Sequence, residues 1–264
     1  MTDESSRDGL DFTGKVVIVT GGCRGVGRGV TERFLAAGAD VVICCRHEPE
    51  TLPTAGGRSA AFVAADVRDP DQIDAVVAFT RERFDHLDVL VNNAGGAPPS
   101  DTATVSPKFT SAIVALNLVA PFVFAQRAFA VMKDQPEGGV IVNISSVSGL
   151  RPSPETAIYG AAKAGLINLT QTLGLEFAPA VRVVCVTVGL VATEQAHLFY
   201  GDEDGVAAVG ATVPAGRMAT PADVGDVCLL LASPLARYVT GEHVVVHGGG
   251  EWPAYLNAAK KTSG

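Results

Sequence analysis

The chain has 264 residues, 47% apolar and 18% charged, with 29 glycines, 15 prolines and a net charge of −8. That composition excludes disordered, collagen-like and disulfide-scaffold proteins, and it fits a single α/β core of about 250 residues. The acidic balance, with no Lys/Arg cluster to track a phosphate backbone, argues against a nucleic-acid partner. In chain order, Lys15 to Thr20 is a β-branched run that reads as a strand. It is followed by a glycine-rich turn and a helical pattern from about Val26 to Ala37, which Gly38 stops. Asp40 to Cys45 reads as a second strand and completes a βαβ unit. The alternation recurs with strands at Ala61–Ala65, Leu87–Val91, Gly139–Ile144, Arg182–Val188 and Glu242–Val246. Between them lie helical patterns at Asp71–Phe84, Phe109–Met132, Ala157–Phe177 and Ala222–Leu231. Continuous apolar strands without alternation imply burial on both faces, so the expected fold class is a Rossmann-type, doubly wound parallel α/β sheet of about seven strands with helices on both faces.

Residues 1–12 read as a flexible N-terminus, 13–252 as one domain and 253–264 as a C-terminal tail; the strand-poor stretch 190–220 reads as a substrate loop. The absence of an apolar run near the ~20 residues of a spanning helix, together with an acidic start, predicts no membrane partner and a cytoplasmic location. Five cysteines (Cys23, Cys44, Cys45, Cys185, Cys228) without C-x-x-C spacing suggest buried thiols in a reducing compartment.

In such sheets ligands bind at the carboxyl ends of strands, so the segments just after strands carry the functional expectations. Gly21, Cys23, Arg24, Gly25, Val26 and Gly27 follow the first strand and open a helix, where glycines let backbone amides approach a pyrophosphate. At the end of the second strand, Arg46 with Arg24 could clamp a 2′-phosphate, which favours NADP(H); Glu48 nearby leaves NAD(H) possible. Asp66-Val67 and Asn93-Ala94-Gly95 follow the third and fourth strands, where either segment could also be a turn former. Tyr159 and Lys163 lie i and i+4 on one helix face, and an adjacent ammonium would lower the tyrosine pKa. Ser145 and Ser146 end a buried strand and must face opposite ways, so only one reaches the cleft. Asn117 is a polar residue inside an apolar helix that needs a buried partner or water.

The T-G-x-x-x-G-x-G run at Thr20–Gly27, the Asn92-Asn93-Ala94-Gly95 segment, Ser146 and the Y-x-x-x-K motif at Tyr159 together resemble the short-chain dehydrogenase/reductase family, closest to its 3-oxoacyl-thioester-reductase-like group. The resemblance runs from about Leu10 to Trp252 and implies a catalytic tetrad of Asn117, Ser146, Tyr159 and Lys163. It also implies adenine contact at Asp66, nicotinamide contact at Thr193, backbone contacts from Val191, and a homotetramer. The implied reaction is hydride transfer between nicotinamide and the carbonyl or alcohol of a hydrophobic substrate, such as a 3-oxoacyl-thioester, steroid or terpenoid-like ketone. The loop bearing His197, Phe199 and Tyr200 offers the apolar cover. An NAD-dependent secondary-alcohol dehydrogenase and a non-catalytic NADP(H) sensor are the alternatives. The chain departs from the family pattern at Val188-Gly189, where Pro-Gly is usual, at Val184, where Asn is common, and at His247. His243 and His247 on one strand stand ~13 Å apart, too far to share an ion, so no metal is expected.

Overall fold

The computed structural model describes residues 10–256. Strands β1 (Val16–Thr20), β2 (Asp40–Cys45), β3 (Thr54–Ala55), β4 (Arg58–Ser59), β5 (Ala61–Ala64), β6 (Val89–Asn92), β7 (Gly139–Ser146), β8 (Val181–Val188) and β9 (His243–Val246) alternate with helices. The helices are α1 (Gly25–Ala36), α2 (Pro70–Phe84), α3 (Pro107–Val114), α4 (Ala120–Met132), α5 (Ala157–Glu176), α6 (His197–Tyr200), α7 (Glu203–Gly210) and α8 (Pro221–Ala232). Seven strands form one sheet in the order β5-β2-β1-β6-β7-β8-β9, and every pairing in it is parallel. Strands β3 and β4 form a separate small antiparallel hairpin that the periodicity did not announce, because two residues per strand carry no pattern.

Side chains alternate across the sheet and build a core on each face. Along β1, Val17 and Val19 pack toward Val30 and Phe34 of α1 and Val224 and Cys228 of α8. Ile18 points the other way, toward Ile73 and Val76 of α2 and Phe124 and Ala128 of α4. Each such side chain removed from water contributes about 1.5–3 kcal/mol. Helices α1 and α8 approach closely because Gly29 faces Pro221: a Cβ added at Gly29 would lie 2.3 Å from the proline Cβ. Thr220 and Asp223 close a capping box at the start of α8, with Pro221 in its first turn.

The structure corrects the expected boundaries in three places. Phe12, assigned to the flexible terminus, is buried, stacks edge-on against Phe34, and donates its backbone N–H to Ala37. The single helix expected over 109–132 is interrupted by a π-turn at Ala115–Val119. The stretch 190–220 contains two short helices, α6 and α7, rather than loop alone. Pro107–Met132 is also long and apolar enough, by length and composition, to cross a membrane, although no uninterrupted apolar run announces it. Here its Phe124, Ala125, Ala128 and Met132 are buried against the sheet core, as expected for a core helix.

Candidate active site

The sheet order reverses at β1, which pairs with β2 on one side and β6 on the other. The crevice at such a switch point opens at the carboxyl ends of the strands. There the structure holds a cleft of about 680 Å³. Gly21, Cys23, Arg24, Gly25, Val26, Gly27, Arg46, Asp66, Val67, Asn93, Ala94, Gly95, Ser146, Tyr159, Lys163, Val191 and Thr193 all line it. Asn117 does not; it stands behind the wall made by Gly95 and Gly96.

One end of the cleft is a glycine-rich cradle. Gly21 and Gly25 take positive φ values of 66° and 53°, which bend the chain so that α1 begins with its amides facing the cleft. A Cβ at Gly27 would lie 2.3 Å from the Gly21 carbonyl oxygen, so the turn closes only with glycine there. Arg24 caps α1 without a side-chain hydrogen bond. The Gly25 N–H instead donates to Glu194 Oε1 at 3.0 Å, placing a carboxylate at the positive end of the helix. A site that already accepts an anion on exposed amides fits the pyrophosphate of a dinucleotide. Asn93 ties this turn to the sheet: its Nδ2 donates to Thr20 O at 2.9 Å, while the Asn93 and Ala94 N–H groups both reach Thr20 Oγ1.

Beyond the cradle lie Arg24 and Arg46, both exposed. Neither guanidinium forms a hydrogen bond or ion pair among the described residues, whereas Glu48 is not part of the lining. Asp66, expected to meet an adenine, has its carboxylate held by the Arg68 guanidinium and backbone N–H. Those bonds push its pKa down to about 2. Its own N–H donates to Gln72 Oε1 at 2.7 Å.

The cysteine expectation is overturned at this end. Cys23 and Cys45 are joined in a disulfide with Cα atoms 6.5 Å apart, while Cys44, Cys185 and Cys228 are free and buried. Sequence spacing could not show the pair, because their approach depends on how the β1–α1 turn folds over the end of β2.

The other end of the cleft holds the tyrosine, lysine and serine. Strand alternation separates the two serines: Ser145 Oγ turns into the core and donates to Lys163 O at 2.9 Å. Ser146 turns to the cleft, accepts Ser148 N–H at 3.2 Å and hydrogen-bonds the Tyr159 hydroxyl. Lys163 is buried, and its Nζ donates to Ile144 O at 2.8 Å and lies 5.7 Å from the Tyr159 ring centroid. The expected lowering of Tyr159 by its lysine is not what the site shows. Desolvation of the phenol raises its pKa, and only the Ser146 bond works against that. Burial acts on the lysine too and brings it down to about 8.

Asn117 is fully buried at the π-turn. Its Oδ1 accepts Gly96 N–H at 2.9 Å, and its Nδ2 donates to Gly96 O and Ile113 O. The extra residue of the π-turn is what turns this amide toward the strand-end loop. Gly95 separates it from the lysine: a Cβ there would lie 2.7 Å from Asn117 Oδ1 and 3.2 Å from Lys163 Nζ.

Around the substrate loop, Tyr200 is partly buried and feels the charges of Arg151 and Glu251, which hydrogen-bond each other. The side chain of Phe199 lies outside the described residues. His243 Nδ1 lies 3.2 Å from Thr187 Oγ1, and no cluster of three metal-ligating side chains forms among the described residues. Arg68, Gln72 and Glu194 were missed by sequence reasoning. Arg68 and Glu194 adjoin residues already singled out, and that adjacency was the available signal.

A family profile described as Enoyl-(Acyl carrier protein) reductase matches residues 21–251. The chain is 36% identical over 249 residues to 3beta-hydroxysteroid dehydrogenase 1 of Eggerthella lenta, covering 90% of this chain and 94% of that protein. It is 32% identical over 243 residues to the 3-oxoacyl-[acyl-carrier-protein] reductase of Vibrio cholerae, covering 91% and 98%. The aldohexose dehydrogenase of Thermoplasma acidophilum superimposes with a TM-score of 0.84 at 29% identity, over 91% of this chain and 95% of that one.

Proposed function

Because the chain belongs to the short-chain dehydrogenase/reductase family and is an oxidoreductase of its 3-oxoacyl-reductase-like group, we propose that it works with NADP(H) on the carbonyl or alcohol of a bulky apolar substrate. The single observation that carries the reading is the shape of the cleft. One mouth offers amides and two arginines that form no hydrogen bond or ion pair among the described residues, and the other a partly exposed Ser146–Tyr159 bond beside a buried lysine.

The nicotinamide supplies or accepts the hydride when bound. The α1 amides and Thr193 would hold it, with Arg24 and Arg46 on a 2′-phosphate. The chain's own residues then manage one oxygen and one proton. Ser146 donates to the substrate oxygen and stabilises the charge that develops there. Tyr159 exchanges the proton with that oxygen, and its raised pKa makes the neutral phenol the resting form, suited to donating in the reductive direction. Lys163 holds its ammonium beneath the tyrosine through Ile144 O, and Asn117 fixes the Gly95–Gly96 wall that separates the amide from it.

The relatives' names divide between steroid or acyl-thioester substrates and sugars, so the choice of an apolar substrate rests on exposed Leu150 and Trp252 on the described surface. Exposed Val119 and Phe122 beside α4, Leu175 on α5, and Tyr238 and Val244 near the outer strand support assembly as a homotetramer through helices and β9. The cytoplasmic assignment rests on the family alone, since the cysteines include a disulfide.

Calorimetric titration with NADPH and with NADH at fixed salt tests the cofactor. NADPH binding at least tenfold tighter, about 1.4 kcal/mol, is expected. Equal or tighter NADH binding refutes the NADP(H) assignment, and binding of neither refutes the enzyme reading. With a 3-ketosteroid or 3-oxoacyl-thioester as substrate, Tyr159→Phe is expected to lose turnover by at least a hundredfold while binding NADPH within about threefold. Retained turnover removes the tyrosine from the chemistry.

A further inference from the structure

The Cys23–Cys45 bridge sits at the adenosine mouth of the cleft, and each of its cysteines is followed directly by one of the two exposed arginines, Arg24 and Arg46. The backbone explains what the bridge adds. Strands β1 and β2 stay in register to Thr20 and Cys44, and Gly21 N–H still reaches Cys44 O at 2.8 Å. Beyond that point the β1–α1 turn leaves the sheet, and β2 runs out into its own loop. No backbone hydrogen bond joins residues 22–24 to 45–47 among the described residues. The disulfide is the crosslink there. It holds together two stretches whose adjacent arginines carry like charge; the carboxylate that Arg46 acts on, Asp66, is already hydrogen-bonded to Arg68, so without the bridge repulsion and side-chain freedom would let the stretches part. Both cysteines are only half-buried, within reach of a thiol reagent.

We propose that the Cys23–Cys45 disulfide determines cofactor specificity: oxidised, it holds Arg24 and Arg46 at the spacing of a single 2′-phosphate, and reduced, it releases that clamp and erodes discrimination between NADPH and NADH. The inference rests on the NADP(H) reading above. The chemical step is thiol–disulfide exchange with a dithiol of the thioredoxin class. One of its thiolates attacks a bridge sulfur to form a mixed disulfide, and its second thiolate displaces the protein cysteine. Both protein cysteines take up protons as thiols, and the two electrons come from the dithiol, which leaves as a disulfide.

The test begins with thiol counting on denatured protein. The chain has five cysteines, of which three are free in the structure, so three thiols before reduction and five after are expected. Five before reduction overturns the proposal. NADPH and NADH are then titrated calorimetrically against oxidised and dithiol-reduced protein at fixed salt, with 2′-AMP and 5′-AMP as probes of the phosphate alone. A preference for NADPH that falls at least fivefold on reduction, with NADH affinity unchanged, is expected. A Cys23→Ser/Cys45→Ser variant should match the reduced protein and ignore reductant. An NADPH preference that survives reduction overturns the staple while leaving the NADP(H) reading intact. Equal loss of both cofactors on reduction overturns it as well, by showing a general collapse of the mouth. No preference in the oxidised protein overturns both readings together.

Discussion

Lys163 is a buried ammonium whose Nζ has one acceptor among the described residues, the Ile144 carbonyl, and its pKa falls from 10.5 to about 8 because burial penalises the charged form. Such a group costs the fold stability at neutral pH. Between pH 8 and 10.5 the unfolded chain binds the lysine proton and the folded chain does not, so unfolding free energy rises with pH through that window. A depression of this size corresponds to about 3 kcal/mol, absent above pH 10.5 and fully charged against the fold below pH 8. Lys163→Met removes the charge, keeps the length and forfeits the bond to Ile144, worth about 1.5 kcal/mol. The ligand-free variant is therefore expected to be about 1.5 kcal/mol more stable than wild type at pH 7, a gain of roughly 3–6 °C in Tm. That advantage should shrink and reverse as the pH approaches 10.5. Thermal unfolding of both proteins at equal concentration, from pH 7 to 10.5, isolates the effect, because every other titrating group is common to the pair. A pH-independent difference between them, or a less stable variant at pH 7, would refute the reasoning.

Three other perturbations read separate parts of the cleft. Arg46→Ala is expected to weaken NADPH about tenfold and leave NADH unchanged in calorimetric titration; equal loss for both would remove the guanidinium from the 2′-phosphate. Glu194→Gln withdraws the carboxylate from the Gly25 amide where a pyrophosphate would sit, so both cofactors should bind about two- to fivefold tighter, and unchanged or weaker binding would show that the two anions do not compete. Gly29→Ala forces a Cβ to 2.3 Å from Pro221 and is expected to destabilise the α1–α8 contact by about 1–3 kcal/mol, seen as a lower urea midpoint; unaltered stability would mean that the helices separate without cost.

The sheet was legible in the sequence because burial on both faces writes itself as uninterrupted β-branched runs, and each expected strand falls on an observed one. Alternation also separates the two serines: both border the cleft, but the Ser145 hydroxyl is spent on Lys163 O while the Ser146 hydroxyl faces Tyr159. What escaped depends on distances between segments rather than on pattern within one. Asn117 reads as helical, yet a single inserted residue shifts it into a π-turn, and a shift of one residue is below the resolution of any hydrophobic period. The lysine's effect on the tyrosine was misjudged because helix spacing gives adjacency but not solvent exposure, and here desolvation outweighs charge. The Cys23–Cys45 bridge links positions that no local rule pairs, and it could be found only once the turn after β1 was seen to lie over the end of β2. These omissions share a cause. The functional end of a doubly wound sheet is assembled from loops that leave neighbouring strands at the same edge, so its chemistry is set by contacts between residues remote in sequence. Strand patterns locate that edge, but the contacts made there, Glu194 on the α1 amide and the Cys23–Cys45 disulfide, emerge only from the folded chain.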